Sequence, residues 1–197
     1  MEEKVLSTKE KILVESMKLF SVQGFEAVSV RAIAAAVGVR DSALYKHFPS
    51  KQAIFDAIVE NSKERFWEQY KKMHLDQPET IDLVEMCLKM FRFQTQDEWI
   101  VRFRQMLVIE QFKNPDIAKV YKELFIDMPV ENQSKIFEKF IEAGVMKGSD
   151  PVVMSMELYA PFFLYHTVQD KPIELEQRLR QHVQNFKENY FIDYQED

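Results

Sequence analysis

Residues 29–48, SVRAIAAAVGVRDSALYKHF, hold the feature that most constrains how this chain folds. Two short apolar stripes at helical spacing are separated by one glycine. Ser29 is placed to cap the first helix, its hydroxyl accepting from an orphaned backbone N–H. Val30, Ile33, Ala34 and Val37 then share one face. Gly38 follows where the chain turns sharply, and Val39 tucks under the turn. A second helix, about residues 40–47, turns Leu44 and then Phe48 inward. Ala34 allows close crossing, Gly38 makes the turn and Leu44 locks the second helix. That is the helix-turn-helix arrangement, whose second helix lies in a DNA major groove. An ordinary helical hairpin inside a core has the same spacing, so spacing alone leaves both open.

Composition narrows the class. The chain has 197 residues, enough for one large domain or two small ones, with 46% hydrophobic and 29% charged side chains. Only 4 Gly and 7 Pro, with little β-type alternation, predict an all-α protein. A single cysteine, Cys87, excludes an internal disulfide and fits a reducing cytoplasm. No apolar run approaches the ~18 residues of a membrane span, and no secretory leader is evident. The net charge of −6 is unevenly placed: residues 1–50 hold 7 Lys and Arg against 6 Asp and Glu, the remainder 19 against 26. A weakly basic head on an acidic body suits a small DNA footprint and not a coat for non-specific binding.

Ser7 and Glu10 have capping-box spacing, so helix 1 begins near Thr8 and carries Ile12, Leu13, Ser16, Leu19 and Phe20 inward. Gly24 ends it and Phe25 folds back. Ser50 caps a fourth helix of over 20 residues, running through Phe66, Trp67 and Tyr70 to about His74–Pro78.

Phe20…Gly24-Phe25-Glu26-Ala27, Ser29-Val30-Arg31…Ile33-Ala34, Gly38-Val39, Leu44-Tyr45…His47-Phe48 and Lys51…Ile54-Phe55 together resemble the head of the Tet repressor (TetR/AcrR) family of bacterial transcriptional regulators. The resemblance covers residues 8–58. It implies an N-terminal three-helix head at residues 1–50 and a helical effector-binding and dimerisation body at 51–197, about nine helices in all. It further implies phosphate contacts from Ser29, Arg31, Tyr45 and Lys51, and groove contacts from residues 40–43 and 46–47. Within that run Arg40 is the best base reader, because arginine binds guanine O6 and N7 bidentately. Ala43 can touch a thymine methyl. Asp41 departs from the family's small, polar or basic pattern; it suits a helix N-terminus and can accept from cytosine N4. Ser42, Lys46 and His47 complete the set.

The second half reads as five further helices. Leu83, Met86, Cys87, Met90 and Phe93 mark a segment over 78–96; Ile100, Phe103, Met106 and Leu107 mark the next. A third spans Asn114 to Gly144, with Pro129 expected to kink or split it. The last two run past Met154 and Leu158, and past Leu175 and Leu179. With 16 Phe and 10 Met in the chain, a cavity is expected among Phe66, Tyr70, Met86, Met90, Phe93, Phe103, Met106, Tyr121 and Phe125, with Tyr159, Phe163 and His166 giving polar tips. Core packing has the same pattern. The resemblance implies that an apolar or amphipathic ligand shifts the protein off DNA. Met154, Leu158, Phe162, Tyr165, Leu175, Leu179, Val183 and Phe186 are expected to face a second copy in a four-helix bundle.

His47, His74, His166 and His182 lack metal-ligand spacing, and no nucleophile elbow or phosphate loop appears. No cofactor is expected. The reading is a cytoplasmic, homodimeric, non-enzymatic regulator, most simply a repressor of a palindromic operator. Its rivals are a helix-turn-helix protein acting through a protein partner without an effector, and a helical enzyme with an incidental hairpin.

Overall fold

A computed structural model describes residues 6–72, 82–166 and 172–192, the side chains of 172 and 173 excepted. The segment expected to end helix 4, including His74 and Pro78, lies outside the described residues. The elements are α1 (Thr8–Gln23), α2 (Val30–Val37), α3 (Asp41–His47), α4 (Lys51–Lys71), α5 (Leu83–Gln96), α6 (Glu98–Glu110), α7 (Pro115–Lys122), α8 (Met128–Glu142), α9 (Pro151–His166) and α10 (Pro172–Tyr190). A π-helical turn, Glu123–Asp127, joins α7 to α8. Counting α7 and α8, which this turn joins in sequence, as one, the described residues hold nine helices, as expected for an all-α chain. Among the described residues, sheet-like pairing is limited to an isolated antiparallel bridge between Met146 and Phe191.

Pro129 marks a split in the helical run, one of the two outcomes expected of it. A proline lacks the N–H for the carbonyl four residues back and crowds it. Here it sits at the start of α8, and the turn just before it is widened to a π-helix. Pro161, by contrast, lies inside α9.

The described chain divides into two compact units, Met1–Trp67 with Glu98–Tyr121, and Glu68–Asp97 with Lys122–Asp197. In the first unit, Ser7 and Glu10 form the anticipated capping box at the start of α1. Ser29 accepts from the Ala32 amide at 3.1 Å, and Ser50 from the Ala53 amide at 3.0 Å. Gly38 has φ 77° and ψ 32°, the left-handed conformation in which a glycine meets no Cβ penalty. Ile12, Phe20, Ile33, Leu44, Phe48, Ile54 and Ile58 are buried together with Phe66, Ile100, Phe103, Met106 and Leu107. Phe25 sits edge-on to both Phe20 and Phe55, at 5.3 and 5.2 Å between centroids. The Trp99 indole donates to Ser62 Oγ at 2.9 Å.

Gly24, which caps the end of α1, lies against α6. Its φ is 85°, and a Cβ built there would lie 2.1 Å from Glu110 Oε1. Glu110 is buried, and its Oε2 has no hydrogen-bond partner among the described residues. The backbone conformation favours glycine here, and a Cβ would also press on the carboxylate.

In the second unit, Leu83, Leu88, Phe91, Phe137, Phe140, Met154, Leu158, Phe162, Leu175, Leu179, Val183 and Phe186 form one core. Phe137 stacks on Phe186 at 5.4 Å. Arg92 grips Glu176 through two hydrogen bonds of 3.0 and 2.8 Å, and Arg180 pairs with Glu85 at 2.8 Å, joining α5 to α10. The bond from Arg92 holds the Glu176 carboxyl below its ordinary range. This packing corrects the expected dimer face. Met154, Leu158, Phe162, Leu175, Leu179, Val183 and Phe186 are buried within the protomer and Tyr165 is half-buried against the same core, because these two stripes have α5 and α8 to pack on. On α9 the exposed apolar side chains are Val152, Val153, Met156 and Leu164.

Gly24→Ala is expected to destabilise the protein by about 2 kcal/mol, roughly half from the backbone conformation. In a Glu110→Ala background the same change costs less, because the collision is gone. Urea denaturation of the four proteins checks this: strictly additive effects would show that the two residues do not meet.

Candidate nucleic-acid interface and cavity

The head is built so that one face of α3 must point outward. Helices of 8 and 7 residues are unstable alone, so α2 and α3 hold their shape by burying one side. Leu44 is 0% exposed and Phe48 4%, which fixes the rotation of α3 about its axis. The opposite side follows from the 3.6-residue period: Arg40, Ser42, Tyr45, Lys46 and His47 are exposed, Tyr45 at 50%, with Asp41 and Ala43 half-buried beside them. Ser29 and Arg31 stand exposed at the start of α2. Lys46 and His47 occupy the last turn of α3.

The acidic departure at Asp41 has a local partner. Arg31 Nε lies 3.5 Å from Asp41 Oδ2, an ion pair between α2 and α3. Exposed pairs add little stability. Its effect is electrostatic: a carboxylate in the first turn of α3 is neutralised by a neighbour while still favouring the helix N-terminus.

Lys51, expected among the phosphate contacts, also has partners within the head. Its ammonium donates to the Phe25 carbonyl at 2.8 Å and the Glu26 carbonyl at 3.2 Å, and lies 4.4 Å from the centre of the Phe25 ring. It clamps the loop after α1 onto the start of α4. The spacing from Phe25 to Lys51 is too long for any local sequence rule to signal this.

The residues grouped as a cavity divide between the units. Phe66, Phe103, Met106 and Tyr121 are core of the first unit. Phe93, Phe125, Phe163 and His166 belong to the second but lie off its cavity; Phe125 is fully buried, edge-on to the His166 ring. Tyr70, Met86, Met90 and Tyr159 do line a cavity of about 50 Å³ within that unit. It is closed by three stripes with one pattern. Cys87, Met90 and Gln94 come from α5; Pro129, Asn132, Gln133 and Ile136 from α8; Ser155, Leu158, Tyr159 and Phe162 from α9. Each repeats at i, i+3, i+4 or i+7 and carries a polar residue inside an apolar face. That interruption was the available signal for Gln94, Asn132, Gln133 and Ser155. Burial pushes the Tyr70 phenol up to about 12, against a hydrogen bond with Asn132, and pushes the Cys87 thiol up to about 12, assisted by Asp82. Both are neutral at physiological pH, so Cys87 is a packing group and not a reactive thiol.

Residues 12–58 match the family model of bacterial regulatory proteins, tetR family. The chain carries a tetR-family head. It is 23% identical over 141 residues to the nucleoid occlusion factor SlmA of Aliivibrio fischeri, covering 71% of each chain. It is 24% identical over 156 residues to IcaR of Staphylococcus aureus, the HTH-type negative transcriptional regulator of the biofilm operon icaADBC, covering 72% of this chain and 84% of IcaR. Its fold is that of SmeT, solved as a complex with triclosan: TM-score 0.72 at 19% identity, over 96% of this chain and 94% of SmeT. The chain thus carries the head of a DNA-binding transcriptional regulator. Among its described residues no group of three or more His, Cys, Asp or Glu could hold a metal ion, and no helix is long and apolar enough to cross a membrane.

If Lys51 is a clamp, Lys51→Met lowers stability by about 1–3 kcal/mol, the range for a hydrogen bond from a charged group. Unchanged thermal unfolding of the variant would show that these bonds do not clamp the loop.

Proposed function

We propose that this regulator is a cytoplasmic, homodimeric repressor that reads a palindromic operator and is released from it by a small ligand in the body. One observation carries the reading: on a tetR-family head, the outward side of α3 presents Arg40, Ser42, Tyr45, Lys46 and His47, with Ser29 and Arg31 beside it. Arg40 reads a guanine, Ala43 meets a thymine methyl, and Ser29, Arg31 and Tyr45 hold phosphates. Asp41 exchanges Arg31 for a cytosine amine when the duplex arrives. The likeness to IcaR, a negative regulator, supports repression, and that to SmeT with triclosan supports a ligand.

In functional terms the head is residues 1–50 and the body 51–197. Two heads must stand about one helical turn apart, ~34–36 Å, to read half-sites together. Val153, Met156 and Leu164, exposed along α9, provide the apolar surface for the second copy. Coupling runs along α4. That one helix, about 30 Å long by its rise per residue, holds Lys51 on the head loop and Tyr70 on the cavity wall. A ligand that moves Tyr70 shifts the population of head positions by its differential affinity for the two states.

A second reading, a DNA-bound protein that acts through a partner with no effector, draws support from the SlmA likeness and from the small cavity. Selection of bound fragments from a random DNA pool, repeated with candidate ligands, separates the two. Arg40→Ala is expected to relax preference at one position of each half-site by ~1–3 kcal/mol. Binding every operator variant as the parent does would remove Arg40 as a reader. Met156→Glu with Leu164→Glu is expected to give a monomer in sedimentation and to abolish tight operator binding; a persistent dimer would place the interface elsewhere.

A further inference from the structure

The cavity in the second unit also says what kind of molecule it can hold, given the reading of the body as an effector site. Among its described lining residues none is charged: the polar groups are Tyr70, Cys87, Gln94, Asn132, Gln133, Ser155 and Tyr159. An ion entering would lose its water with no opposite charge to meet, which is strongly unfavourable. The titratable groups present do not change this, since the Tyr70 phenol and Cys87 thiol are both held neutral by burial.

Part of the hydrogen-bonding capacity is already committed. Tyr70 and Asn132 bond each other, and Ser155 Oγ donates to the Pro151 carbonyl at 2.6 Å. Gln133 is different. Its Nε2 is buried at the cavity wall and has no partner among the described residues. A buried donor left unmade is costly, so an acceptor brought by a ligand gains the bond at little desolvation cost. Size sets the other limit. About 50 Å³ holds a few waters at ~10–15 Å³ each, and is well below the ~150 Å³ of a cavity that takes benzene. The walls that can yield are Met86 and Met90, unbranched and adaptable, and the half-buried Tyr70 and Tyr159.

We propose that the body binds an uncharged molecule of single-ring size that carries a hydrogen-bond acceptor, which Gln133 Nε2 engages. Charged ligands, carboxylates and ammoniums alike, are excluded by the lining.

The test uses the full chain and three ring compounds of similar size at pH 7.5: acetophenone, benzoate and benzylamine, which is cationic at that pH. Binding is read by calorimetry, and operator release is read in parallel. Acetophenone is expected to bind at least tenfold more tightly than either charged probe. Gln133→Leu is expected to weaken acetophenone at least fivefold with the melting temperature kept, and Gln133→Met to do the same should the leucine variant fold poorly. A charged probe binding within tenfold of acetophenone, or an unchanged affinity in a folded Gln133 variant, overturns the ligand class while leaving an effector-binding body. Failure of all three to bind overturns it as well; if operator affinity is then also insensitive to larger neutral compounds, the effector reading falls with it.

Discussion

Two helices of 8 and 7 residues stand at the centre of this protein, and neither could persist in water alone. They exist because Ile33, Leu44 and Phe48 are buried in the head's core. That burial also sets the outward side of α3: once Leu44 is inside, the period of the helix leaves Arg40, Ser42, Tyr45 and Lys46 outside. Stability and presentation are one constraint. The Lys51 clamp on the Phe25 and Glu26 carbonyls and the contact of Gly24 with Glu110 work on the same loop. They hold the entrance to α2 from two directions, from α4 and from α6.

The second unit is organised by different means. Its core is aromatic and aliphatic, and charged pairs sit at the rim, where Arg92–Glu176 and Arg180–Glu85 join α5 to α10. Within that frame the cavity is a local departure, because each of three helices places an amide or hydroxyl where a fully packed core would have a hydrocarbon.

Much of the head was legible in the residue order. The capping box at Ser7 and Glu10, the caps at Ser29 and Ser50 and the left-handed Gly38 all depend on groups within about four residues of each other. The exposed side of α3 was legible too, since Leu44 and Phe48 specify the opposite side. Pro129 announced a disturbance, although not that a π-turn would absorb it.

Helical stripes state that a face is buried; they do not state against what. Met154, Leu158, Leu179 and Val183 have the same period whether they meet a second copy or their own α5 and α8, and only the packed chain chose the latter. Phe66, Phe103 and Met106 looked like Tyr70, Met86 and Met90, yet only the second three line the cavity. The grip of Lys51 on carbonyls 25 and 26 residues away likewise follows from chain reversal, not from neighbours in sequence. Residue order thus determined the helices, their caps and the reading face, because these rest on local geometry. Partners across the interior were decided by tertiary packing, because apolar attraction has no direction and any complementary surface can satisfy it.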